Sequence, residues 1–572
     1  MRNFRLFLVS LLVVLSCCNQ PARAPEEVRV RLAVDPETLN PVNYSDAGAL
    51  QIVNLLFQSM LSADLADDKI KPFLAAEMPQ VERQDSVTLF TYQIREEATW
   101  TDGSPVTAAD VAFTLKVLKA PLLNNEFLKP QVQFIRDIRI DASNSKRFAL
   151  VCAGYSPEME LLTGDFFILP AYLFDPEALL QPIEVAALSG GLSELENNEN
   201  LKAFAAKFNS QEYGHSTAML QGSGGYLLEE WANGQYLALK RKSDWWGNDI
   251  PDAPHLTANP ERISFQVIPD NTTALLALKN RQLDVLENIE AAEFDKIRND
   301  ESFKEDYSLY SPDAYEFVYA GLNTRSPKLS DKRTRQAIAH LLDVTSIIQV
   351  SQRNYATPTV GPIPPSVQEY YNSSLELRSY NADKVTSLLS ASGWQKEQDG
   401  WYKTINGQRE QLTIEVNYKA GSTAFETAAI IFQQRAAEVG IPVQVQGMEN
   451  SLLSTNLRRH EYEMFFRSLS GNPFVYDFQP LLHTTFASEG GMNVTGFGTP
   501  ESDSVLDAIN RTESPQEKAK LLKRLQEILH EEAAFISMYY RQDRLAVHRR
   551  FDNIKVSGLK PNYDVSAFTL QE

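Results

Sequence analysis

The sequence predicts an α/β protein assembled from about three folding units, and three observations carry that prediction. A chain of 572 residues is longer than the roughly 100–200 residues of a single domain. Its composition, 43% hydrophobic and 22% charged, is that of globular material and not of a disordered or repetitive chain. A strand–helix–strand crossover is legible late in the sequence. Leu412 to Tyr418 alternates, Ser422 caps a helix running to about Val439, Gly440 stops it, and Ile441 to Val445 alternates again. Connections of this kind join parallel neighbours of one sheet with right-handed chirality.

Taken in order, the chain opens with a segment outside the fold. Met1 to Ser16 places Arg2 and Arg5 ahead of an apolar run from Leu6 to Leu15. That run is shorter than the roughly 20 apolar residues that span a bilayer and matches a secretory signal peptide. Val14-Leu15-Ser16-Cys17 has the form of a bacterial lipobox, with Cys17 as the modified residue and Cys18 as the alternative. Residues 17–27 are polar and contain prolines, which suits a tether between a lipid anchor and the first strand. Val28 to Val34 then alternates as a strand that Asp35-Pro36 ends, and Ala49 to Leu61 carries Ile52, Leu55, Leu56 and Met60 at helical spacing. Thr107 and Asp110 form a capping box ahead of Val111, Leu115 and Leu118. Ser189 to Asn200, SGGLSELENNEN, reads as a solvated loop, and Tyr226 to Glu230 as a strand. Asp331 and Arg335 stand four apart on a helix, the spacing of an ion pair on one face. Ser514-Pro515-Gln516-Glu517 is another capping box with proline at the first helical position, and Leu521, Leu522, Leu525, Ile528 and Leu529 give the following helix one apolar face.

Charge and motif exclude several classes of function. Fifty-four Lys+Arg against 74 Asp+Glu give a net charge of -20, the wrong sign for neutralising DNA or RNA phosphates or for attraction to an anionic bilayer. Membrane attachment is therefore expected only through the N-terminal lipid anchor. Beyond Cys17 and Cys18 the chain holds only Cys152, so no internal disulfide framework is expected. Between Val151 and Ala153, Cys152 reads as a buried, inert thiol. The seven histidines are dispersed, with no HExxH. No Gly-x-Ser-x-Gly elbow occurs, and Gly222 to Gly225 lacks the Gly-Lys-Ser/Thr of a P-loop. An enzyme is not expected, nor any cofactor or metal.

Ordered phrases spread over nearly the whole chain carry a resemblance. They begin with Asp35-Pro36-Glu37-Thr38-Leu39-Asn40-Pro41 and Leu56-Phe57-Gln58-Ser59-Met60-Leu61, and continue with Lys71 to Glu77, KPFLAAE, and Phe90 to Arg95, FTYQIR. Trp100 to Val111, WTDGSPVTAADV, is the most specific. Gly222-Ser223-Gly224-Gly225-Tyr226 with Trp231 and Gly234-Gln235 follow, then Asn323, Asp331 and Arg335-Gln336-Ala337, then Ala391-Ser392-Gly393-Trp394, and finally Asn493, Pro500 and Asp503. In this order they resemble the large extracytoplasmic solute-binding proteins of peptide and nickel importers, bacterial solute-binding protein family 5.

The resemblance implies a two-lobed, type II periplasmic-binding-protein-like fold with hinge closure. Residues 28–48, 222–269 and 512–572 would form a discontinuous first domain, 49–221 an inserted second domain, and 270–511 a third that makes the second lobe, with hinge strands near Ile268 and after Leu529. It implies an exported, monomeric receptor facing the periplasm or the cell exterior, which captures a peptide or peptide-like ligand between its lobes and delivers it to ABC permease subunits. Ligand contacts are expected at Tyr44, Ser45, Asp46 and Ala47, before the first helix, and at Phe466, Arg467, Ser468, Asn472, Tyr476 and Asp477. The second group departs from the family pattern. Phe466-Arg467 stands near the expected Gly-Trp, and the acid that would pair a ligand α-amine does not follow until Asp477. A buried ammonium without an acid is costly, so a non-peptide small ligand stays open unless Asp477 or Asp46 compensates. Arg467, if it points into the cleft, would favour a carboxylate or phosphate.

Overall fold

The computed structural model describes residues 27–571 except 45, 127, 191–194 and 249. The leader, Cys17, Cys18, most of the tether and Ser45 lie outside the described residues. Two large sheets organise the rest. The first has seven strands in the order Tyr307–Tyr310, Leu545–His548, Val285–Leu286, Glu27–Leu32, Arg262–Val267, Tyr236–Arg241 and Tyr226–Ala232. Glu27–Leu32 runs parallel to Arg262–Val267, with Val28 opposite Ile263 and Val30 opposite Phe265, all four buried. The second has six strands in the order Ala356–Pro358, Phe535–Gln542, Asp313–Leu322, Met464–Ser470, Ile414–Lys419 and Val443–Met448.

The predicted crossover is present. Ile414–Lys419 and Val443–Met448 pair in parallel, joined by the helix Thr423–Glu438, whose first turn is capped by Ser422 accepting from the Phe425 amide. The first strand starts two residues later than its alternation indicates because the Leu412 amide donates to the Trp401 carbonyl of a neighbouring three-stranded sheet. Period-two burial gives the central strand Asp313–Leu322 two faces. Phe317 and Tyr319 enter one core with Phe465, while Val318, Ala320 and Leu322 enter another with Phe466.

The first helix is Ala47–Leu56 and stops short of the predicted Leu61. Met60 and Leu61 are buried, as helical spacing indicates. They reach the core instead through an extended stretch bridged at Ser59 to Phe167 and through the hairpin Leu61–Asp64 with Lys69–Pro72. The inserted segment also carries a four-stranded antiparallel sheet and the helix Ala108–Lys119, whose Thr107–Asp110 capping box is formed. Its apolar core is continuous with that of the seven-stranded sheet. At the end of the predicted acidic loop, Asn198 caps a helix, Glu199–Phe208.

The lobe boundaries differ from the expected ones at two places. Residues 270–310 belong with the first lobe, because Val285 pairs with both Val30 and Val547, and Tyr307–Tyr310 pairs with Leu545–His548. Residues 512–542 belong with the second lobe. The helix Pro515–Glu532 packs Leu522, Leu525, Ile528 and Leu529 beside Phe317 and Tyr319, and Phe535–Gln542 pairs with Asp313–Leu322. The chain thus crosses between lobes at residues 311–312 and 543–544 and not near Ile268. The two crossings are in contact, the Asp543 amide donating to the Pro312 carbonyl at 3.0 Å.

Charged groups tie distant segments together. Arg29 and Arg550 both bind Asp284, which has no exposed side-chain surface, at 2.9 and 2.8 Å. Burial pushes that carboxyl up, but the two guanidinium groups overcome it and hold the group below the usual range. Arg335 does not pair with Asp331 as its spacing predicts. Asp331 caps the helix Lys332–Ala339 by accepting from the Arg333 amide, and Arg335 binds Glu532 at 2.9 Å and the Leu329 and Ser330 carbonyls. A buried residue so placed makes more bonds across the fold than along one helix face.

Candidate functional site

Between the lobes lies a cavity of about 320 Å³ whose walls come from both. Tyr44, Asn54, Asp165, Phe166 and Phe167 face it from the first lobe, and Asn472 and Phe474 from the second. It shares Asn54, Ser59, Ser62, Ala63, Phe167 and Leu559 with a cavity of about 230 Å³ in the first lobe, and Asn472 with one of about 190 Å³ in the second.

Local structure fixes each wall. Tyr44 stands at the entry to the first helix, edge-on to Phe167 with ring centroids 6.2 Å apart. Burial and the nearby Asp165 carboxylate push its hydroxyl up to about 12. Asp165 follows a close contact. The Gly164 carbonyl accepts from the Leu61 amide, and a Cβ at Gly164 would meet the Leu61 side chain at 2.5 Å. On its other side the Ile168 amide donates to the Gln58 carbonyl. Across the cavity, Asn472 Oδ1 accepts from the Phe474 and Val475 amides at 2.8 Å each, an Asx turn that sets the angle of the loop.

The sequence-predicted residues divide accordingly. Tyr44 and Asn472 line the interlobe cavity, and Asn472, Tyr476 and Asp477 line the second-lobe cavity. Asp46 is occupied as the helix cap, accepting from the Ala49 amide at 2.9 Å, and Ala47 is exposed outside the cavities. Phe466 is a correction: strand alternation turns it into the core, where it is fully buried. Arg467 points along the other face, donating to Ser454 Oγ at 3.3 Å, and lines none of the three cavities; Ser468 lines none either. Asp477 accepts from the Gln479 amide and from Asn510 Nδ2. Of the residues named as facing the interlobe cavity, Asn54, Asp165, Phe166, Phe167 and Phe474 went unforeseen. For Asp165 a signal exists, a lone acid beside the apolar run Phe166 to Leu169.

Cys152 is fully buried in the strand Arg147–Ala153, and burial pushes its thiol up to about 12. Among the described residues no group of three or more His, Cys, Asp or Glu side chains is placed to hold a metal ion. No helix of the described residues is long and apolar enough to cross a membrane.

Residues 69–493 match the family model described as bacterial extracellular solute-binding proteins, family 5 Middle. The chain belongs to that family. It is a solute-binding protein of the ABC-importer type, extracytoplasmic and not an enzyme. Among family 5 relatives, it is 22% identical to the oligopeptide-binding protein AppA of Bacillus subtilis, over 94% of this chain and 90% of that protein. It is 23% identical to the nickel-binding periplasmic protein of Escherichia coli, over 93% and 92%. In fold it is similar to NikA from Brucella suis, solved with Fe(III)-EDTA, with a TM-score of 0.74 over 95% of this chain and all of that one at 18% identity. The B. subtilis AppA structure with a nonapeptide gives 0.69 over 96% and 99% at 19% identity.

Proposed function

We propose that this family 5 protein is a lipid-anchored receptor that captures a short peptide in the interlobe cavity and presents it to ABC permease subunits. The observation that carries the reading is the shared wall: Tyr44 and Phe167 from one lobe and Asn472 and Phe474 from the other enclose one space. A ligand there is held only when the lobes come together, which couples binding to a shape that a permease can sense. The volume, about 320 Å³, sits at the low end of the roughly 300–1,000 Å³ range of ligand sites and favours a peptide of a few residues. The oligopeptide-binding relative supports the ligand class. The anchor rests on Cys17, with the polar residues after it as tether.

Uptake of isotope-labelled di- to pentapeptides into cells of the source organism tests this reading. Deletion of the gene is expected to abolish uptake of at least one size class, and Cys17→Ser to release the protein from the membrane fraction and reduce uptake. Unchanged uptake of every size class in the deletion strain would refute the reading.

A further inference from the structure

The charges on the cavity walls do not balance, and that imbalance identifies a chemical group of the ligand. In the first-lobe cavity Asp64 is neutralised by Lys71 at 2.5 Å, and Asp564 accepts from Ser566. Lys560 is held by Asp543 at 3.0 Å and by Asn562, and His255 donates to the Pro72 carbonyl. Asp165 is different. Among the described residues its carboxylate has no ion-pair or hydrogen-bond partner, and the residue is exposed, lining the interlobe cavity. Desolvation by the protein around it pushes the carboxyl up to about 6. Its backbone is held on both sides by the Gly164–Leu61 and Ile168–Gln58 bonds.

One further feature points the same way. Tyr44 and Phe167 from its own lobe and Phe474 from the other line the same cavity as Asp165, and ring faces attract cations. A carboxylate and aromatic faces together ask for a group that is positive, rich in N–H donors and compact. An ammonium meets all three.

We propose that Asp165 is the seat of a protonated amine of the ligand, with Tyr44, Phe167 and Phe474 as its aromatic surround. This rests on the peptide reading for the rest of the ligand. It places the acid that receives the amine on the first lobe and not at Asp477, which is already occupied by Gln479 and Asn510. The amine can be a peptide's α-amine or a lysine side chain, since both present the same ammonium.

The test uses native mass spectrometry of the whole protein with a combinatorial library of di- to pentapeptides in three forms: unmodified, acetylated at the α-amine alone, and acetylated at every amine. Wild type is expected to retain unmodified peptides at least tenfold better than fully acetylated ones, and Asp165→Asn to lose that preference with an unchanged or higher Tm. Survival of binding in the α-acetylated form assigns the seat to lysine, and its loss assigns it to the α-amine. Equal retention of the unmodified and fully acetylated forms by wild type, or an undiminished preference in Asp165→Asn, overturns the proposal. Lysinamide, a dication without a carboxylate, separates this from the peptide reading. It is expected to raise the Tm of wild type and not of Asp165→Asn even if no peptide of any form binds, whereas no rise in wild type overturns the amine seat.

Discussion

Removing one member of a buried ion pair between the lobes is expected to open the molecule. Lys518, on the helix Pro515–Glu532 of the second lobe, pairs with Glu158 of the inserted segment, and each side chain retains 8% of its surface. Lys518→Met keeps the apolar stem but leaves Glu158 buried without its partner, a loss of about 3–5 kcal/mol where such pairs are broken. Separation of the lobes returns Glu158 to water, so the cost falls on the closed arrangement alone. At 3 kcal/mol the closed-to-open ratio drops about 150-fold. Because the cavity is walled by both lobes, ligand affinity falls with the closed fraction. Small-angle scattering of the free protein measures the effect directly. The single variant is expected to have a larger radius of gyration than wild type, and Glu158→Gln with Lys518→Met to recover most of the difference because no buried charge is then unpaired. A single variant as compact as wild type, or a double variant as expanded as the single, would refute the reasoning.

Three other outcomes are expected. Asp284→Asn should lower unfolding stability at pH 7 by about 3 kcal/mol in a denaturant titration, since it removes the acid between Arg29 and Arg550. The Asp284 carboxyl is held below its ordinary value, so its contribution is fully present above about pH 4 and is lost as pH falls through the folded value; wild type and variant should therefore converge in acid. His530 is pushed down to about 4 by burial and by the Arg378 charge, so the unfolded chain binds its proton first. Tm should fall as pH drops from about 6.5 toward 4, and His530→Gln should lessen that fall. Cys152 should resist alkylation in the native protein at pH 8, read by peptide mapping, and react on unfolding; rapid native labelling would contradict its burial.

What was legible in the sequence was local. The crossover from Leu412 to Val445, the Thr107 and Ser514 caps and the apolar face from Leu521 to Leu529 each depend on neighbours within a few turns, and each is present. Lobe boundaries depend on pairings made far along the chain. The two-residue strand Val285–Leu286 has no periodicity to read, yet its bonds to Val30 and Val547 assign residues 270–310 to the first lobe. Arg335 failed for the same reason, its partner Glu532 lying 197 residues away. The helix entry at Tyr44 and the Asn472 loop were expected as ligand contacts from family phrases, whereas the orientation of Phe466 and Arg467 required the register of Met464–Ser470 against Asp313–Leu322. Asp165 stands out only once Tyr44, Phe167 and Phe474 are assembled around it.

The most direct test of the account is native mass spectrometry of the protein purified from its own cells, before and after mild denaturation. A receptor that closes on a short peptide should carry one small ligand per chain, released with a free amine and unchanged in mass on prolonged incubation. A released species that lacks any basic amine, or one that is cleaved during incubation, would contradict it.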